Sequence, residues 1–186
     1  MNAAAAEVVV EVKKLDLGCG KNKLAGYHGV DRIAFDGVDT VCDLREKWPW
    51  EDASVSEVHC SHFIEHLDAP RRIHFVNELY RVLVPKGKAT IIVPHWASNR
   101  AYGDLTHQWP PVAEMWFYYL SREWRKTQAP HDDIEYNLEG YSCDFEATWG
   151  YSLHPTLMTR SADYQQHAIT FWKEAAQDII ATLVKK

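Results

Sequence analysis

Three strand-like runs crowd into the first 43 residues, and the linkers between them are too short to hold helices. Residues 8–17, VVVEVKKLDL, are rich in β-branched side chains and run into Gly18-Cys19-Gly20, the pattern of a strand closed by a glycine turn. A second run covers residues 27–31 and a third residues 38–43, each ending on an acid. Six residues separate Gly20 from the second run, and six separate Asp31 from the third. A crossover between parallel strands takes about a dozen or more residues and normally contains a helix. If the three runs are neighbours in a parallel sheet, one face of that sheet lacks helical cover. Apolar side chains there would need burial by the second half of the chain or by a second copy of it, so a homodimer is the expectation.

The rest of the chain keeps the alternation of strand and crossover. Residues 55–60 alternate apolar Val58 and Cys60 with polar Glu57 and His59, as a half-buried strand does. Asp68 and Pro70 then open a helix whose apolar face is Ile73, Val76, Leu79, Tyr80 and Leu83. Pro85-Lys86-Gly87 closes it, and residues 88–94, KATIIVP, form another strand. Pro110-Pro111 starts a helix that carries Val112, Met115, Trp116 and Tyr119 inward. A solvated acidic loop follows around His131 to Glu135. Residues 141–152 read as a strand, 163–177 as a helix with Tyr164, Ala168, Phe171 and Trp172 on one face, and 178–184 as a final strand. The order predicts an α/β fold with a mostly parallel sheet. No repeat or linker divides it, so residues 1–186 are expected to form one domain.

Composition narrows the function. The net charge of −6 is spread over both halves of the chain, whereas nucleic-acid binders concentrate positive charge to neutralise phosphates. Nucleic acid is therefore disfavoured as a partner. No run approaches the roughly 20 apolar residues of a membrane span, and the first residues lack the pattern of a secretory leader. The four cysteines show no paired spacing and read as reduced thiols. The expectation is a cytoplasmic protein with no membrane partner. Trp96, Tyr102, Trp109, Trp116, Phe117, Tyr118, Tyr119 and Trp124 form a dense aromatic stretch, which predicts either a thick core or a cavity lined for a small-molecule ligand.

Small residues at Gly18-Cys19-Gly20 let backbone approach a ligand closely, and acids at the ends of successive strands, Asp31 and Asp43, face the crevice where open α/β sheets bind ligands. The motif LDLGCG resembles the first motif of the class I S-adenosylmethionine-dependent methyltransferases, and GVDR resembles that family's ribose-binding acid. The stretch CDLREKWPWEDASVSEVHCSHFIEHL is similar to the family's segment from the adenine-contacting acid through the fourth strand, and PKGKATIIVP to its fifth strand. The resemblance covers roughly residues 12–95. Asn22 stands where many members have a third glycine, and the short crossovers are similar to those of a compact subgroup.

The resemblance implies a Rossmann-like sheet with truncated crossovers after strands one and two, and S-adenosylmethionine as cofactor. It implies that Asp16, Gly18, Cys19 and Gly20 surround the methionine end. Asp31 would hold the ribose with Arg32 beside it, Asp43 and the Leu44 backbone would face adenine, and Ser61 and His62 would lie near the sulfonium. Residues 1–95 would then bind cofactor, and residues 96–186 would cover the crevice and bind the acceptor.

Methyl transfer needs alignment of acceptor, methyl and sulfur, and a base where the acceptor carries a proton. His62, His95 and His107 are the candidate bases, because histidine titrates near neutrality. Arg100 is a candidate for holding an acidic substrate. Three other readings share parts of this pattern. His62, Glu65 and His66 match the inverted zinc-peptidase motif H-x-x-E-H, but that motif requires a helix where a strand is expected, so no metal site is expected. A nicotinamide dehydrogenase is disfavoured because the third glycine of its fingerprint falls on Lys23. A protein that binds the cofactor without turnover, as a sensor or subunit, has the same crevice.

Overall fold

A computed structural model describes residues 13–129 and 140–186. The acidic loop expected around residues 131–135 and residues 8–12 of the first strand lie outside the described residues. Seven strands form one sheet in the order β3-β2-β1-β4-β5-β7-β6. They are β1 (Lys13–Leu17), β2 (His28–Asp31), β3 (Thr40–Val41), β4 (Val55–Ser61), β5 (Leu83–Pro94), β6 (Phe145–Leu153) and β7 (Ala176–Lys185). The first five run parallel, and β7 inserts antiparallel between β5 and β6. The expected α/β sheet is thus present, with no helix between β1 and β2, between β2 and β3, or between β3 and β4.

The parallel crossover from β4 to β5 carries the longest helix, α1 (Ala69–Val82). Asp68 caps it by accepting from the Arg71 backbone N–H, and Pro70 sits in its first turn. Phe75, Val76, Leu79 and Val82 are fully buried against the sheet. Beside them Trp48 and Trp50, from the loop between β3 and β4, complete the cover that a helix would otherwise give. Trp48 meets the Phe75 ring edge-on at 5.1 Å, donates its indole N–H to Leu44 O, and has its backbone N–H taken by Glu78.

The sheet's two faces differ in kind. Side chains alternate along a strand, so the register sorts them into rows. Leu15, Val58, Ala89, Leu183 and Ala147 align across five strands on one face, as do Leu17, Cys60, Ile91, Ala181 and Trp149. The opposite face carries Lys14, Glu57, Lys88, Val184 and Glu146 in one row, and Asp16, His59, Thr90, Thr182 and Thr148 in the next. That second face is polar. Its apolar members are few, Val184, Ile92 and the partly exposed Ile180, so this face offers little apolar surface for a covering helix.

The second half departs from expectation in its helices. Residues 110–113 are not helical, and the helix expected there is the single turn α3 (Glu114–Tyr118), after α2 (Arg100–Gly103) and before α4 (Arg122–Thr127). Phe117 is its buried residue, with Val112 before it and Leu120 after it also buried, while Met115 is 57% exposed. The expected helix over 163–177 is α5 (Ala162–Phe171), which stops short because β7 begins at Ala176. Of its expected apolar face only Ala168 is buried; Tyr164, Phe171 and Trp172 are exposed. The aromatic stretch divides. Phe117 enters the core, Trp96 and Tyr102 line an open cavity of about 420 Å³ with Phe171 and Trp172, and Trp109 and Tyr118 stand on the surface.

Candidate functional site

The carboxyl ends of β1, β2 and β4 meet around a cavity of about 390 Å³, within the size range of a small-molecule site. Its walls are Gly18, Asp31, Arg32, Cys42, Asp43, Leu44, Arg45, Phe63, His66, Leu67 and Thr106. Five of the residues expected at a cofactor, Gly18, Asp31, Arg32, Asp43 and Leu44, are therefore brought together. Asp16, Cys19, Gly20 and Ser61 stand outside the walls.

Local bonding explains the division. Asp16 is buried and both of its oxygens are taken, Oδ2 by the Leu24 N–H at 2.7 Å and Oδ1 by His59 Nδ1 at 2.7 Å. It holds the loop after β1 from below. The Gly18 and Cys19 amides both donate to Val30 O, at 2.8 and 3.1 Å, and the Gly20 amide donates to Asp31 Oδ2 at 3.0 Å. The turn's N–H groups are thus spent on β2 and the acid at its end, so a ligand meets the turn through shape and the Asp31 carboxylate. Gly18 is at φ +70°, and a Cβ there would stand 2.8 Å from the Phe63 ring. Gly20 is at φ +53° with open space where its Cβ would point, room that a ligand can use.

Charge on the cavity wall is paired. Asp31 also accepts from the Ile33 N–H at 3.0 Å, which fixes both oxygens at the end of β2. Arg45 donates through Nε to Asp43 Oδ1 at 2.8 Å, and this bond draws the Asp43 carboxyl down to about 2. Arg45, Phe63 and Thr106 carry no role in the sequence reading, and His66 has one only through the inverted zinc-peptidase motif. The first two follow the adenine-side acid and the fourth strand closely enough to have been included. Thr106 gives no sequence signal, because it arrives from the second half of the chain.

The candidate bases separate. His95 is 1% exposed, with Nε2 against Glu114 Oε1 at 2.9 Å and Nδ1 accepting from the Ala97 N–H at 3.1 Å. Neither nitrogen is free to take a proton from a substrate. Burial, the largest single influence, raises the Glu114 carboxyl, but the bonds from His95, a backbone N–H and Tyr151 together outweigh it and the net shift is downward. His62 has a left-handed backbone, φ +53°, an uncommon state for a residue with a Cβ, and its N–H bonds Ile92 O at 2.9 Å. This kink ends the strand, so His62 and His66 do not share a helix as the zinc-peptidase motif requires. Its Nδ1 lies 3.2 Å from Glu65 Oε1, and that bond raises the His62 pKa. His107 lies across the crevice mouth, packed edge-on against the His66 ring at 4.7 Å. Arg100 is paired with Asp178 at 2.9 Å rather than presented to a substrate.

A buried arginine organises this mouth. Arg72, 6% exposed, donates from α1 to Ile64 O at 3.2 Å, Pro110 O at 2.6 Å and Gln108 O at 3.1 Å. The Gln108 N–H adds a bond to Glu65 O at 2.8 Å. The turn after β4 and the segment before α3 are thereby clamped together.

A sheet in this strand order, with a ligand-sized cavity over the glycine turn and the acids ending β2 and β3, defines a class I methyltransferase fold. A family model described as a methyltransferase domain matches residues 3–91. Among solved structures, a SAM-dependent methyltransferase from Archaeoglobus fulgidus superposes with a TM-score of 0.64 at 18% identity, covering 95% of this chain and 87% of that one. The 1,6-didemethyltoxoflavin-N1-methyltransferase of Burkholderia thailandensis matches with a TM-score of 0.57 at 12% identity, over 93% of this chain and 70% of the other. The geranyl diphosphate C-methyltransferase of Streptomyces coelicolor gives 0.53 at 13%, over 95% and 71%. No curated protein matches by sequence. In fold, and over residues 3–91 also in sequence, the chain is similar to the class I S-adenosylmethionine-dependent methyltransferases.

Proposed function

We propose that this enzyme methylates a small-molecule acceptor, with the cofactor in the 390 Å³ cavity. The observation that carries the reading is Asp31. Its carboxylate ends β2 on the cavity wall, pinned by two backbone amides, and each pinned oxygen keeps a lone pair for a ribose hydroxyl. Gly20 leaves open space beside it, Gly18 lets the Phe63 ring approach the turn, Leu44 and Phe63 supply apolar wall, and Asp43 lies fixed by Arg45. These acceptors and this space fit S-adenosylmethionine, which when bound supplies an activated methyl on sulfur. Arg32 stands beside Asp31, and Asp16, Cys19 and Gly20 shape the turn without walling the cavity. Ser61 and His62 follow at the end of β4, where His62 is the candidate base.

Residues 96–186 are read as the acceptor side of one domain, because Thr106 completes a wall that the first half leaves open. The Burkholderia and Streptomyces proteins named above act on small molecules, and the net charge of −6 disfavours nucleic acid here. No helix among the described residues is long and apolar enough to cross a membrane. Four unpaired cysteines fit a cytoplasmic setting.

Calorimetric titration with S-adenosylhomocysteine tests the reading. The expected result is saturable binding that Asp31→Asn weakens by about tenfold or more, the effect of losing a charged hydrogen-bond acceptor. Absence of binding, or equal affinity in the variant, overturns the cofactor assignment.

A further inference from the structure

We propose that Glu65, His66 and His107 form a binding site for one divalent transition-metal ion, Zn²⁺ in preference to Mg²⁺, at the mouth of the cofactor cavity. One candidate ligand atom from each residue lies within 4.8 Å of the other two. Tetrahedral ligands at about 2.0–2.2 Å from zinc stand roughly 3.4 Å apart, so small side-chain rotations close the site.

Bonding around the three residues presents the right atoms. Glu65 is 4% exposed, and its Oε1 is engaged by His62 Nδ1. Its Oε2 is buried with no hydrogen-bond partner, a costly state for a carboxylate oxygen that a cation would relieve. His107 Nδ1 lies 3.2 Å from Ala101 O. A carbonyl only accepts, so Nδ1 carries the proton and Nε2 keeps its lone pair. Thr106 Oγ1 is 2.7 Å from Asp104 Oδ1 and 2.9 Å from His66 Nδ1. The hydroxyl's single proton goes to the carboxylate, so Thr106 accepts from His66 Nδ1–H, and His66 Nε2 also keeps its lone pair. Asp104 Oδ2, at 3.9 Å from His107 Nε2, is beyond hydrogen-bond reach.

A metal-binding histidine usually donates its other nitrogen to a backbone carbonyl or an acid-linked group, and here both do. Two imidazoles and one carboxylate suit zinc or cobalt, whereas magnesium seeks six oxygens. The Arg72 clamp holds the two segments that carry the ligands. This revises the expectation of no metal, and it uses His107 where the inverted-peptidase pattern used His62.

The test uses the tag-free, chelator-stripped full chain titrated with Co²⁺ and Zn²⁺. Expected are one ion per chain, ligand-field absorption from cobalt, and a melting temperature raised by zinc. His66→Ala, His107→Ala and Glu65→Gln should each weaken binding by about tenfold or more, while His154→Ala on a distant exposed turn leaves it unchanged. Far-ultraviolet dichroism confirms that each variant is folded, and His66→Ala, which also touches the cofactor cavity, is judged for folding by dichroism alone. Glu65→Gln adds a readout in the metal-free protein: it should melt no lower than the parent and gain nothing from zinc. Absence of stoichiometric binding overturns the proposal, as does binding that survives His107→Ala or that His154→Ala weakens equally. Cofactor binding is read separately, so failure of the metal site leaves the methyltransferase reading standing, and the reverse holds.

Discussion

The two faces of the central sheet solve the same problem in opposite ways. One face carries Leu15, Leu17, Val58, Cys60, Ala89, Ile91, Ala181 and Leu183, all buried, beneath α1 and the two tryptophans of the β3–β4 loop. The other carries Lys14, Asp16, Glu57, His59, Lys88, Thr90 and Thr182. A parallel sheet usually needs helices on both faces because both are apolar. Here the uncovered face is built mostly of groups that water or short polar contacts satisfy, with Val184, Ile92 and Ile180 as its apolar members. Lys14 pairs with Glu57 at 2.7 Å, and Tyr27 lies over this face with its hydroxyl on Glu57 and its ring edge-on to His59. Truncated crossovers are therefore a matter of which residues occupy alternate positions.

Neighbours on one strand give the sharpest test of that contrast. Ile91→Ala, on the covered face, should cost about 2–5 kcal/mol through lost burial and the cavity left behind. Thr90→Ala, one residue earlier and on the open face, should stay within about 0.5 kcal/mol. Urea denaturation of both variants measures this, and equal costs would break the comparison.

Asp16 is the exception on the polar face, since it is buried and holds the glycine-turn loop. Asp16→Ala should cost about 1–3 kcal/mol by unmaking the bonds from Leu24 and His59. Unchanged stability in the same denaturation assay would show that the loop is held from elsewhere.

The smallest effect is a pH dependence. Burial, then the Glu57 hydrogen bond, pushes the Tyr27 hydroxyl up to about 12, against about 10 in an unfolded chain. The raised folded-state pKa means that the contribution is fully present below about pH 10 and is lost as pH rises towards 12. Tyr27→Phe should therefore lose stability less steeply than the parent across that window. Tyr151 and Cys143 are also raised to about 12, so the difference between the two curves, rather than either alone, reports Tyr27. Parallel curves would show that Tyr27 ionises equally well in both states.

Much of this was legible in the chain. The strand before Gly18, the acids at Asp31 and Asp43, the Asp68 cap and the Ile73, Val76 and Leu79 stripe of α1 all act locally, through propensity, capping and periodicity, whereas the buried Phe75 and Val82 lie outside the expected stripe. The candidate site was half legible. Asp31 and Gly18 reach the cavity as their motif suggests, but Asp16 and the amides of Gly18 and Cys19 are consumed in holding the turn. His95 looked like a base because histidine titrates near neutrality, and only its neighbours show that both nitrogens are spent. Gly29 drew no notice, yet a Cβ there would meet Lys23 at 2.6 Å and Cys19 Sγ at 3.0 Å. The helices of the second half were misjudged because proline and aromatic spacing suggest length, while strand pairing sets where they stop.

The sequence by itself determined the sheet-forming runs, the absence of helices after the first strands and the acids at the crevice, because each depends on residues close together in the chain. It also determined the polar face, since alternation along β4 and β5 writes that face directly. Only the tertiary structure decided which polar groups are free and which are spent. It set Thr106 and His107 beside Glu65 and His66, some 40 residues away in sequence, and clamped the two segments through Arg72. Hydrogen bonding across such distances depends on where packed elements bring side chains, and no local pattern encodes it.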